Sequence, residues 1–399
     1  MENAIIITLC VLLIISYLFD LTFIKTKIPS VILLLFLGWL VKQITTLLRI
    51  QIPDLSPALP ILGTVGLILI VLEGSLELKL EASKAKMILS SFLGALLPVV
   101  LLIFLLAYLM STVFGYDFWD SVLSSIPLCV ISSAIAIPSV RNFPPTQKEF
   151  VIYESSFSDI IGVLIFNFFV VNRSIGIPAL IEVSLQFVIM FLVSVVATFS
   201  LATLLRRIEH HVKFVPVVLL IVLIYAISKF FHLPALVFIL IFGLILSNIE
   251  DFKHIKFLQR FCTFEIQSEV KKFMDLIAEG TFLVRSLFFL LFGYFIETSE
   301  LVNIVTLPWA LAIVLLIFLL RAVQLKILRL PLQPLLFVAP RGLITILLFL
   351  SIEPTRLVPF VNKSLVIQII ILTSLILMFG SMITKTETIE EKEVVNESI

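Results

Sequence analysis

Stretches of apolar residues long enough to cross a lipid bilayer recur from one end of this sequence to the other, separated by clusters of Gly, Pro and charge. A helical span needs about 20 such residues. The pattern therefore predicts an all-α polytopic membrane protein and excludes a soluble core. Composition agrees: of 399 residues, 60% are hydrophobic and only 14% charged, with a mean hydropathy of +1.20. The breaks predict about thirteen transmembrane helices, near 4–20, 28–48, 57–78, 86–113, 117–140, 148–171, 176–204, 213–230, 233–249, 279–297, 302–325, 331–352 and 361–384. The long connection from Asn248 to Phe273 reads as an interfacial amphipathic helix.

Basic residues fix the expected orientation, because Lys and Arg are retained on the cytoplasmic side. Seventeen fall in the odd-numbered connections and six in the even-numbered ones, namely Lys42, Arg49, Arg173, Lys229, Arg356 and Lys363. The N-terminus is thus expected outside and the C-terminus inside. The first run follows "MEN", with neither a basic leader nor a small-residue cleavage site, so a retained first span is expected. The division expected is a membrane domain over 1–384 and a short acidic cytoplasmic tail over 385–399. Cys10, Cys129 and Cys262 have no metal or redox spacing and read as structural, small hydrophobes. His210, His211, His232 and His254 sit in connections or at span ends, where none reads as a ligand.

Two spans carry helix breakers: the fifth in "SSAIAIPS" and the twelfth in "VAPRGL". Broken helices in matching positions of two halves point to the binding site of a secondary transporter. These two are seven helices apart, and an odd offset makes them cross the membrane in opposite directions. The expectation is an inverted repeat, helices 1–6 against 8–13, with two crossing broken helices.

Five ionisable residues stand well inside their spans: Glu73, Glu154, Asp159, Arg285 and Arg341. Uncompensated, they cost together about 12–17 kcal/mol, so they must be paired, hydrated or functional. Glu154 and Asp159 lie in "YESSFSDIIG", five residues apart. In a helix that is about 7–8 Å of rise and about 140° of rotation, so they cannot form one shared-proton dyad. Ser155 shares the face of Asp159, and Ser158 that of Glu154. Arg341 can offer a bidentate partner to a carboxylate, and Glu154 is the expected one. Asp159 is then left unneutralised. Desolvation disfavours its charged form, so it can hold either a proton or a small alkali cation. Ser155, Ser132, Ser133, the freed carbonyls of the broken helix and Glu73 are the expected further contributors. Arg285 has two open partners, Asp159 and Glu73. Arg321, near a cytosolic end, reads as a snorkelling side chain.

Together these segments resemble the sodium/proton exchanger family of the monovalent cation:proton antiporter superfamily. "ESSFSD" (154–159) resembles its Glu-Ser-x-x-Asn-Asp signature, "APRGL" (339–343) its late Arg-Gly motif, and "LEGSLEL" (72–78) its early Glu-Gly segment. "SSAIAIPS" (132–139) falls where the family has an unwound Thr-Asp-Pro helix. The resemblance implies a core domain carrying the ion site, a dimerisation domain and elevator-like movement. It also implies Asp159 as the cation and proton carboxylate, Ser155, Glu73 and Ser133 as ion ligands, and Glu154 with Arg341 as a structural pair. Two departures stand out. Ser158 replaces the family's Asn or Asp, which implies one-for-one, electroneutral exchange, and Ala134 stands where the Thr-Asp-Pro carboxylate would be.

The expected function is exchange of Na⁺ (or Li⁺, K⁺) for H⁺ by alternate occupancy of Asp159. The expected protein is a homodimer in a plasma membrane, prokaryotic inner by expectation, with no cofactor and no nucleic-acid partner. The alternative is an organic-anion carrier or symporter on a related scaffold, which Arg285 and Arg341 near the midplane would suit. An enzyme is not expected, since no HExxH, second membrane aspartate or mid-span serine/histidine set is present.

Overall fold

The computed structural model describes residues 2–50, 54–55, 57–79, 82–172, 176–207, 214–231, 233, 235–249 and 264–383. The four histidines, Cys262, the acidic tail and most of the 248–273 connection lie outside them. All regular structure among the described residues is helical. In chain order the helices are α1 (Glu2–Thr26), α2 (Ser30–Leu47), α3 (Ala58–Glu77), α4 (Ala85–Phe114), α5 (Phe118–Cys129), α6 (Ser133–Ser139), α7 (Pro145–Val171) and α8 (Ile177–Arg207). They continue with α9 (Phe214–Phe230), α10 (Ala235–Ser247), α11 (Phe264–Tyr294), the one-turn α12 (Thr298–Leu301), α13 (Leu307–Ile327), α14 (Leu343–Ser351) and α15 (Lys363–Ile383). A 3₁₀ turn, Leu335–Phe337, precedes α14.

Each expected span meets one of these helices, and the fifth and twelfth are interrupted at the expected breakers. Among the described residues, nine helical segments are long and apolar enough to cross a membrane, beside three shorter apolar helices. The ends follow local chemistry. Gly115, at φ 72°, closes α4, and the Asp117 side chain caps α5 by accepting from the N–H groups of Trp119 and Asp120 at 2.9 and 3.0 Å.

The tenth span differs from expectation. Its helix begins at Phe264, fifteen residues before the expected start at 279. Residues 264–273, expected within an interfacial helix, are instead continuous with the span. Buried Val270, Phe273 and Ile277 recur at spacings of three and four, so one apolar stripe runs through the charged segment. At 1.5 Å per residue this helix is about 46 Å long, more than the hydrocarbon core requires.

Packing follows the inverted repeat. The halves set α2 opposite α10 and α3 opposite α11, so an internal two-fold must exchange the pairs α2–α11 and α10–α3. Both pairs pack extensively, as do the self-related pairs α3–α11 and α5–α14. The packing of α4 on α7 is likewise repeated by α13 on α15. The α2–α11 seam is a close one: a Cβ added at Gly38 would collide with the Leu290 carbonyl, and one added at Gly293 would lie 2.9 Å from the Leu35 Cα. Small residues let two membrane helices meet backbone to backbone in this way.

Candidate functional site

The two breaks meet. Between α5 and α6 the chain is extended, with ψ of 130° at Val130 and 113° at Ser132. The Ser132 N–H donates to the Pro340 carbonyl of the second break at 2.9 Å. Gly342 is required at this crossing, because a Cβ there would lie 2.7 Å from Ile135 Cδ1 and 2.8 Å from Ser132 Oγ. Backbone groups freed by unwinding must find partners inside a membrane. On this strand they do: Ile131 N–H donates to Ser158 Oγ at 2.9 Å, and Ser133 N–H to Asp159 Oδ2 at 3.2 Å. Across the crossing, Arg341 N–H reaches Thr373 Oγ1 at 3.1 Å, on α15.

α7 supplies both acceptors. Asp159 is 3% exposed, and its Oδ2 also accepts from the Ser133 hydroxyl. Its carboxylate therefore lies against the first N–H of α6, that of Ser133, where the helix dipole favours negative charge. The other oxygen, Oδ1, is buried without a hydrogen-bond partner, and so is the hydroxyl of Ser132. Buried polar atoms are almost always satisfied, so two such orphans at the break call for an occupant. Ser158 is fully buried, and its oxygen holds the unwound strand where the family's signature has Asn or Asp.

Glu154 differs from expectation. Its partner is not Arg341 but Arg321 of α13, whose Nη1 donates to Glu154 Oε1 alongside the side-chain amide of Gln324. Glu154 and Arg321 are 1% and 2% exposed, so Arg321 does not snorkel. It also donates through Nε to the Leu335 carbonyl at 3.2 Å. Gly94 of α4 leaves room for the cluster, since a Cβ there would stand 3.2 Å from Glu154 Oε1. Arg341 instead serves the broken backbone: Nε donates to Leu128 O at 2.7 Å and Nη1 to Ala339 O at 3.2 Å. The physical reason is placement. Leu128 lies at the end of α5, whose unpaired terminal carbonyls attract a cation.

The remaining expected site residues are spread around this centre. Glu73 lies on α3 beside Thr281 and within electrostatic reach of Arg285. Arg285 also donates to Ala134 O at 3.3 Å, so α11 touches the break at the position lacking a carboxylate. Ser155 is buried and turned onto its own helix, donating to Val151 O at 2.8 Å. The structure thus brings Asp159, Ser132, Ser133 and Ser158 together at the crossing, with Glu73 and Arg285 approaching from α3 and α11.

Sequence reasoning missed Gln324 and misread Arg321. The signal was available: Arg321 and Gln324 are three apart, on one face of a span whose flanking positions are apolar. Thr373 was also missed, because a lone threonine in an apolar helix carries no sequence signal for a partner on another span.

Comparison with known proteins gives a consistent result. The family model described as "Sodium/hydrogen exchanger, transmembrane" matches residues 9–386. No curated protein sequence matches the chain. Among solved structures, that of the sodium proton antiporter MjNhaP1 from Methanocaldococcus jannaschii at pH 8 is similar, with a TM-score of 0.67 at 19% identity, covering 96% of each chain. An electron-microscopy structure of MjNhaP1 gives a TM-score of 0.63, also at 19% identity, over 97% of this chain and 96% of that one.

Proposed function

Because this chain belongs to the sodium/hydrogen exchanger family, we propose that it exchanges Na⁺, or Li⁺ or K⁺, for H⁺ one for one, through alternate occupancy of Asp159. The observation that carries this reading is the half-satisfied carboxylate: one oxygen anchored on Ser133, the other buried without a partner beside a break that also leaves Ser132 Oγ unclaimed. Hard oxygens in this arrangement suit an alkali cation stripped of part of its water. A proton on the carboxylate satisfies the same atom differently. The two occupants compete for Asp159, and that competition couples their movements.

In this reading Ser132, Ser133, Ser155 and Glu73 complete the cation's shell over the transport cycle, and Ser155 joins by turning from its own helix. Glu154, held by Arg321 and Gln324, fixes α7 against α13. Charge counting supports electroneutrality. The mid-span charges Glu73, Glu154, Asp159, Arg285, Arg321 and Arg341 balance when Asp159 is ionised, and either occupant adds the same single positive charge. Ser158 offers no second carboxylate to carry another proton. The protein is read as a homodimer in a plasma membrane, prokaryotic inner by expectation, with the N-terminus outside, and its core moves as an elevator against the dimerisation helices.

An organic-anion carrier is disfavoured because Arg285 is engaged by the Ala134 carbonyl and the space beside Arg341 is only about 20 Å³, too small for an organic anion. The test is proton flux in vesicles reconstituted with the purified protein. Cation pulses should move protons without responding to an imposed voltage, and Asp159→Asn should abolish the response while the protein remains folded. Exchange at the unmodified rate in that variant overturns the assignment.

A further inference from the structure

Beside the second break and the Glu154 cluster lies a partly enclosed space the transport reading does not use. It is a cavity of about 20 Å³ between α4, the end of α5, α13 and the second break, and Arg321, Arg341, Gln324 and Cys129 line it among apolar side chains. That volume holds one water-sized occupant.

Its chemistry is unbalanced toward donors. Arg321 directs Nη1 to Glu154 and Gln324 and Nε to a carbonyl, but its Nη2 is buried with no partner. Arg341, 2% exposed, has carbonyl partners and, among the described residues, no carboxylate. The two guanidiniums line the same small cavity. A water in this space needs two to four polar partners that include an acceptor. A small anion needs only donors and positive charge, which this lining supplies. We propose that the cavity binds one small monovalent anion of halide size, held by Arg321 and Arg341, as the counter-ion for Arg341, which Glu154 does not reach.

The site is distinct from the cation's, and its test involves no transport. Crystals of the full-length protein grown with bromide in place of chloride should show one anomalous peak in the cavity. In parallel, the thermal midpoint of the detergent-solubilised protein should rise saturably by about 2–4 °C in sodium chloride or bromide over sodium gluconate at equal Na⁺ and ionic strength. Ala95→Leu, which fills the cavity from α4, should remove the halide dependence. If that variant does not fold, the measurements on the unmodified protein still decide. A water alone in the cavity, with no anomalous signal at saturating bromide, overturns the proposal. A bromide peak without halide-dependent stability marks an adventitious ion only, and overturns it equally.

Discussion

Glu154 and Asp159 are carried by one helix, five residues apart, and both are buried to within a few per cent, yet the protein treats them in opposite ways. Glu154 faces a guanidinium and an amide that reach the same oxygen. Asp159 has one oxygen anchored and one left open. Burial alone therefore does not mark a functional acid. What separates the two is whether a guanidinium neutralises the group or one of its oxygens is left for something that comes and goes.

The sharpest way to break this comparison is to exchange the consequences. Asp159→Asn should lower cation-driven proton flux at least a hundredfold in reconstituted vesicles and leave the thermal midpoint within a few degrees, because the amide oxygen still accepts from Ser133. Glu154→Ala should do the reverse. It strands Arg321 as an unpaired buried charge, at a cost of about 3–5 kcal/mol in unfolding free energy, while protein that remains folded should still exchange. Adding Arg321→Met to Glu154→Leu should recover most of that loss, since a buried pair replaced by apolar groups is often neutral.

Smaller effects refine the picture. Ser158→Asp keeps an acceptor for the Ile131 N–H and adds a carboxylate, so exchange should become sensitive to imposed voltage. An unchanged response would show that residue 158 does not set the stoichiometry. Ser132→Ala removes an unclaimed oxygen and should raise the half-saturating Na⁺ concentration by about three- to tenfold with little change in maximal rate, the cost of roughly one hydrogen-bond-strength contact. Competition for one carboxylate also predicts that this half-saturating concentration rises as pH falls, by up to about tenfold per unit. The fluxes of both ions across a pH series test it.

Most of this was legible in the sequence. Apolar length located the spans, and the breakers in "SSAIAIPS" and "VAPRGL" located the crossing, because a helix in lipid unwinds only where the freed groups have partners. The identity of those partners was not legible. Arg341 stands between breakers at the centre of a span, which makes it conspicuous, whereas Arg321 sits near a span end where snorkelling is the ordinary explanation. Yet three-dimensional placement gives Glu154 to Arg321 and leaves Arg341 on the α5 carbonyls. Spacing along one helix fixes which residues share a face, but it does not specify which neighbouring helix that face meets. The start of α11 was misread for a related reason: charge at positions 265–279 suggested a connection, while the stripe of Val270, Phe273 and Ile277 that carries the helix onward is visible only at helical spacing.

The seam between α2 and α11 has a mechanical consequence. With Gly38 against the backbone of Leu290 and Gly293 against that of Leu35, there is almost no side-chain layer between the helices at that point. A boundary without side chains has no rotamers to exchange and no intermediate packing through which to slide. These two helices must then travel or stay as one stiff strut, and any relative motion within the protein is taken up at other boundaries, such as those of α3 and α10 with α7.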